Sequence, residues 1–319
     1  MTPGTRFRIV VLFLCTLVAQ GCDRPTPGNI MSLPATGSVP EAIDIAVITV
    51  IREEYEAFVG KLSTPLPLPV CAGCTNRYAW VTAEVQSEAR KSPLRIAVGM
   101  IGEPGLTAGA LATQRAIERF RPRHILLVGI AGGIPERVHR GDVVVANAVW
   151  NYDYGSLDRT FTPRLDFTYR PDEALLQAAL ALVAPWQKEI RTPAPEPVSP
   201  VRRSGSNASG YKVVESLATE FIDRVLQRDP AIVSIEMEGA GAAAAVEEAR
   251  EQGVDVGLLM IRGISDIPQP RGKPLLGDKP DREKWKAYAA DAAASFALTL
   301  IRSGWPAAVQ GRREGARGS

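Results

Sequence analysis

Apolar residues along this 319-residue chain arrive in short runs separated by longer amphipathic stretches. Ile43 to Val50 is apolar except for Asp44 and Thr49, the pattern of a strand buried on both faces. Tyr55, Phe58, Val59 and Leu62 follow at helical spacing. Leu94 to Met100, Ile125 to Val128, Val143 to Val149, Ala231 to Ile235 and Val256 to Ile261 predict further buried strands. Between them, Gly105 to Phe120 and the stretch from Glu238 to about Arg250 are Ala-rich and predict helices. Asp172 to Val183 predicts an amphipathic helix. A last helix is expected from Arg282 to Arg302, with Trp285, Tyr288, Ala292, Phe296 and Leu300 on one stripe. Strands alternating with helices predict an α/β fold: a three-layer sandwich with a mostly parallel, twisted central sheet flanked by helices.

The ends of the chain read differently. Arg6 and Arg8 precede an apolar run, Ile9 to Val18, that is short for a membrane span. The small and polar residues Ala19-Gln20-Gly21-Cys22 follow, which completes the order of a secretory signal. Gly21-Cys22 resembles a bacterial lipobox, although Ala19 and Gln20 replace its usual leucine and small residue. Residues 1–22 are therefore expected to be a signal peptide, with Cys22 as a lipid anchor in the periplasm or cell envelope. A simple cleaved signal is the alternative. Residues 23–42, rich in Pro, Gly, Ser and Thr, read as a tether, residues 43–303 as the folded domain, and 304–319 as a disordered tail. Cys71 and Cys74 lie in a Pro-rich stretch, and in an oxidising compartment they can form a short-loop disulfide or remain free thiols.

Composition removes several classes of chemistry. The formal net charge of +2 gives no reason to expect a nucleic-acid surface. Only His124 and His139 are present, which excludes a His-rich metal site and argues against a Ser-His-Asp triad. Cys71 and Cys74 have no second pair to complete a structural zinc site, so no metal and no cofactor are expected. Ligands of open α/β sheets bind beyond the carboxyl ends of the strands. The polar or glycine-rich segments there are Arg52 to Glu54, Gly129 to Gly133, Glu236 to Glu238 and Arg262 to Asp266. A dinucleotide loop at Gly129 to Gly133 is disfavoured, because the spacing is not Gly-x-Gly-x-x-Gly.

These segments carry a resemblance. Ile45-Ala46-Val47-Ile48 with Glu53-Glu54, Gly129-Ile130-Ala131-Gly132-Gly133, Gly141-Asp142-Val143-Val144-Val145, Ile235-Glu236-Met237-Glu238-Gly239-Ala240, Arg262-Gly263-Ile264-Ser265-Asp266 and Trp285-Lys286-Ala287-Tyr288 resemble the nucleoside phosphorylase superfamily. They are most similar to its methylthioadenosine/S-adenosylhomocysteine nucleosidase branch. The resemblance runs from about Ile43 to Arg302. It implies cleavage of the N-glycosidic bond of a purine nucleoside, most like an adenine nucleoside, and a homodimer. It assigns Glu54 to activating water, with Glu53 as the alternative one register away. It assigns Asp266 to protonating the purine, with Ser265 and Arg262 orienting it. Glu238 would accept from the ribose hydroxyls and Met237 would pack on the sugar. Ala131 and Gly132 of the glycine segment, and Ser209 of the segment Ser204 to Gly210, would contact substrate. Glu236 is left as a structural residue. The chemistry suits these residue types, because bond cleavage leaves negative charge on the base and positive charge on the sugar. Ile130 stands where phosphate-using members often have a hydroxyl side chain, which favours water over phosphate as nucleophile. Phosphorolysis and a tethered, inactive nucleoside-binding protein remain the rival readings. Ile267 to Pro280 is expected to act as a lid.

Overall fold

The computed structural model describes residues 43–68, 79–88, 90–269 and 279–305. The expected signal, tether, Cys22 anchor, Cys71–Cys74 pair and residues 306–319 of the tail lie outside these residues, as does most of the expected lid. Among the described residues no helix is long and apolar enough to cross a membrane.

The strands are β1 (Ile45–Thr49), β2 (Leu66–Pro67), β3 (Trp80–Val85), β4 (Leu94–Met100), β5 (His124–Gly133), β6 (Val143–Asn151), β7 (Gly155–Leu157), β8 (Phe161–Pro163), β9 (Thr168–Tyr169), β10 (Arg202–Ser209), β11 (Ile232–Glu236) and β12 (Gly257–Asp266). The helices are α1 (Arg52–Val59), α2 (Leu106–Phe120), α3 (Glu173–Ala181), α4 (Glu220–Arg228), α5 (Gly239–Glu251) and α6 (Lys279–Thr299). The main sheet runs β11-β10-β6-β12-β5-β1-β4-β3-β2. β4, β1, β5 and β12 are mutually parallel at its centre, as are β6, β10 and β11. The β12–β6 and β3–β4 pairings are antiparallel, so the whole sheet is mixed.

The three layers follow from two-sided burial of the central strands. One face packs beneath α1, α3 and α6 through Phe58, Leu175 and Phe296, with Leu300 just after α6. The other packs beneath α2 and α5 through Ala112, Ala116, Ala242 and Val246. α2 and α5 approach closely because Gly241 has no side chain; a Cβ there would run into the Leu106 carbonyl.

Two of the four segments expected beyond strand ends, Gly129 to Gly133 and Arg262 to Asp266, belong to the ladder itself. β5 stays paired with β12 through Gly132 and then crosses to β11, with Gly132 against Ile235 and Gly133 against Ser234. This crossing closes β11, β10, β6, β12 and β5 into a ring. It also carries the glycine segment to the head of α5, where the acidic Glu236 to Glu238 segment begins.

Opposite this end, Lys61 is buried just after α1 and pairs with Asp291 of α6, with side chains 2% and 4% exposed. Lys61 also donates to the Glu189 carbonyl, and Asp291 accepts from the Arg191 and Thr192 amides. Removing one partner strands the other charge in the interior. Asp291→Ala is expected to lower unfolding free energy by about 3–5 kcal/mol. Lys61→Met with Asp291→Leu together should cost much less. Urea denaturation of the three proteins checks this ordering.

Candidate active site

A cleft opens at the carboxyl ends of β1, β5, β11 and β12. It encloses about 600 Å³ including its open mouth. Glu54, Ile130, Ala131, Gly132, Met237, Glu238, Ser265 and Asp266 line it. Segments far apart in sequence thus meet on one wall and floor.

Glu54 sits in the first turn of α1 and is 3% exposed. Its Oε2 accepts from the Val50 and Ile51 amides at 2.6 and 3.2 Å, and its Oε1 from the Ile130 amide at 2.8 Å. Burial raises its pKa, against the Arg262 charge and these amides. Its neighbour Glu53 points outward and pairs with Lys286 at 2.8 Å, so Glu54 is the member of the pair in the cleft. Ile130 contributes its backbone, where sequence reading weighed only its side chain.

Glu238 precedes α5 and is 5% exposed. Its Oε1 accepts from the Gly105 amide at 3.0 Å. Burial, and then the negative charge of Glu236, push its pKa up to about 8, opposed by Arg262 and Gly105. Asp266 ends β12 after a register shift between Ile264 and Asp266, which places Ser265 beside it. Ser265 Oγ donates to Asp266 Oδ1 at 2.6 Å, with the Ala131 carbonyl at 3.4 Å. Burial raises the Asp266 pKa, while the Ser265 bond and then the Arg282 charge lower it. Asp266 Oδ2 lies over Gly132, where a Cβ would be 3.2 Å away.

Arg262 and Ser209 do not line the cleft. Arg262 is wholly buried beneath its floor, with Nη2 donating to Glu236 at 2.5 Å and lying 3.4 Å from Glu238. Burial opposes its charge, but Glu236, Glu238 and Glu54 outweigh that and hold it firmly protonated. Its Nε and Nη1 have no hydrogen-bond partner. Gly129 makes room for this cluster, since a Cβ there would collide with Arg262 Nη1 and Glu54 Oε1. Ser209 stands behind the wall, its Oγ accepting from the Ala240 amide at the head of α5. Glu236 caps the same helix by accepting from the Gly239 amide, and Asn207 Nδ2 donates to it at 2.9 Å. Glu236 also lines the cleft, so its structural task and its place at the site coincide.

Residues 44–302 match the family model described as "Phosphorylase superfamily". The chain belongs to the phosphorylase superfamily. Within this superfamily it is similar to a 5′-methylthioadenosine/S-adenosylhomocysteine nucleosidase of Maridesulfovibrio salexigens, at 26% identity over 70% of this chain and 85% of that protein. It is also similar to an ATP nucleosidase, Cap17, of Escherichia coli, at 26% identity over 71% of this chain and 44% of that one. Among solved structures it resembles the methylthioadenosine/S-adenosylhomocysteine nucleosidase of Neisseria meningitidis in complex with methylthio-immucillin-A. There the TM-score is 0.61 and the identity 19%, over 81% of this chain and 98% of that one. This likeness bears out the expected superfamily fold.

The sequence missed the roof of the cleft. Lys212, Val213 and Val214 come from the segment after β10, and Pro104 and Arg282 from the heads of α2 and α6. Pro104 and Gly105, just before α2, were the available signal, because a glycine at a helix head leaves amides free for an anion.

The raised Glu238 pKa has a measurable sign. The folded protein keeps a proton that the unfolded chain releases near pH 4.5, so this contribution is present below that value. It is lost as pH rises through about 8. Glu238→Gln mimics the protonated form at every pH. Its melting temperature should exceed that of the unmodified protein at pH 8 and approach it at pH 5, read by thermal scans in both buffers.

Proposed function

We propose that this protein hydrolyses the N-glycosidic bond of a purine nucleoside of the adenine type, releasing free base and the sugar. The observation that carries the reading is that Glu54, Glu238 and Asp266 share one cleft, with Glu54 buried, Asp266 half-buried, and the proton affinity of both raised by burial. The nucleosidases among its relatives support the same reaction class.

Each group then has a defined task. Asp266, whose affinity for a proton burial raises, donates through Oδ2 to N7 of the purine as the bond breaks. Ser265 keeps Oδ1 occupied, so the proton leaves from the other oxygen. Glu238 holds the sugar hydroxyls, and Met237 packs beside it. Glu54 Oε2 has both acceptor positions taken by amides, whereas Oε1 has one left. That position takes the proton of a water attacking C1′. Arg262 Nη1 lies near Glu54 Oε1 beneath the floor, at the position that a Cβ on Gly129 would occupy.

Phosphate fits this floor poorly. The Ile130 amide is committed to Glu54, and Arg262 is committed to Glu236 and Glu238. A phosphate dianion would face three carboxylates with one shared guanidinium between them. Water, being neutral, avoids that repulsion.

Incubation of the chain from Asp23 onward with adenosine, methylthioadenosine and inosine, with and without phosphate, tests the reading. Adenine release without phosphate is expected, and Asp266→Asn should slow it by about 10²–10⁴-fold. Release only with phosphate would make the protein a phosphorylase, and nucleoside binding without release would make it a binding protein.

Export with lipid attachment at Cys22, and assembly as a homodimer, belong to the same proposal. The order of charges, apolar run and Gly21-Cys22 supports the first. Cys22→Ser should move the protein from the membrane fraction of a bacterial host to the soluble periplasmic fraction. Continued sedimentation with membranes would overturn the anchor. Light scattering of the soluble protein reads its subunit number.

A further inference from the structure

We infer that Tyr211, latched to Thr107, limits the length of the substrate's 5′ substituent. This rests on the nucleosidase reading, which sets how the substrate lies. With the base at Asp266 and the sugar hydroxyls at Glu238, the 5′ carbon projects to the end of the cleft away from the base. Val50, Ile51 and Pro104 belong to the cleft lining and are uncharged, and we assign them to that end.

The segment Gly210 to Ala218 crosses above the cleft and contributes Lys212, Val213 and Val214 to its lining. Its start is rooted on Asp153, which accepts from the Tyr211 amide at 2.6 Å and pairs with Lys212. Its far end is held where the Leu217 amide donates to the Gln269 carbonyl at 2.9 Å. Tyr211 ties this strap to the head of α2. Its hydroxyl lies 2.5 Å from Thr107 Oγ1 and accepts from the Thr107 amide at 3.1 Å. An edge of its ring lies against Gly105, where a Cβ would be 3.2 Å from Cε1. Gly105 has φ +119°, so the bare backbone under the ring is a conformational requirement as well as a steric one. Gly105 is also the residue whose amide holds Glu238. The latch therefore closes the cleft next to the sugar site, beside Pro104.

Tyr211 is 53% exposed, and an exposed hydrogen bond is cheap to open. The latch sets a preference among substrates and does not bar large ones. A 5′-methylthio group fits beneath the closed strap. A homocysteinyl group must displace the ring from Gly105 to pass.

The test compares adenine release from methylthioadenosine and S-adenosylhomocysteine by the unmodified protein, Tyr211→Ala and Thr107→Val. The ratio of kcat/KM for the longer substrate to that for the shorter should rise about tenfold in Tyr211→Ala. It should rise less in Thr107→Val, which keeps the ring and loses one bond. Calorimetric Kd values for both nucleosides give the same ratio without turnover. Should the unmodified protein release no base, the nucleosidase reading fails, and the Kd ratio still decides the latch. A ratio unchanged in both variants, or an equal loss for both ligands, would overturn the role of Tyr211.

Discussion

One guanidinium holds the site together. Arg262, without solvent contact, donates to Glu236 and lies against Glu238, with Glu54 across the gap left by Gly129. These residues come from β12, the end of β11, the head of α5 and the first turn of α1. Charge matching at this point therefore fixes how four elements meet. Three carboxylates share this single positive charge in a low-dielectric interior. Burial raises Glu54 and Glu238, and Arg262 restrains the rise. Glu238, pushed up to about 8, therefore keeps its proton to higher pH than a solvated carboxylate does.

Backbone topology makes that meeting possible. A regular parallel sheet would spread the ends of β1, β5, β11 and β12 along an edge. The crossing of β5 onto β11 folds the edge into a ring and brings Gly132 and Ile235 together. Glycines suit the crossing, because Gly133 passes where a Cβ would strike Val138, Ile264 and Ile267. The glycine segment thus serves close backbone approach: the Ile130 amide reaches Glu54, and Asp266 Oδ2 packs over the bare Gly132.

Much of this was legible in the chain. β1, β4, β5 and β12 are apolar because both faces are covered, and continuous apolar runs reveal such strands directly. Glu54, Glu238 and Asp266 were readable because each follows a strand that could be recognised. β10 was not, since its sequence Arg202–Ser209 is polar and glycine-containing. Its polar side chains are buried for a reason no periodicity reports: Asn207 and Ser209 serve Glu236 and the head of α5. The same competition explains Ser209, whose hydroxyl caps a helix and so stands behind the cleft wall. Arg262 was read as orienting Asp266, but a buried guanidinium goes to the nearest carboxylates, and those are Glu236 and Glu238. The strap that bears Tyr211 has neither helical nor strand period. Its position depends on side-chain bonds to Asp153 and Thr107, residues distant in sequence.

The two ends of the cleft follow different physical rules, and this separates chemistry from selectivity. At the floor, three backbone amides hold the Glu54 carboxylate and leave one acceptor position on Oε1, while Arg262 keeps Nε and Nη1 without a partner. Committed groups cannot reorganise during reaction, and such fixed polar groups stabilise a developing charge most effectively. At the mouth, Tyr211 and Val213 are each 53% exposed, and Tyr211 is held by hydrogen bonds that water can replace. A floor built this way tolerates little change in the reacting bond, whereas a mouth built this way can change its ligand preference through one side chain. Divergence in the 5′ group among proteins that share this floor is then expected at the strap and the head of α2, and conservation of reaction type at Arg262 and its carboxylates.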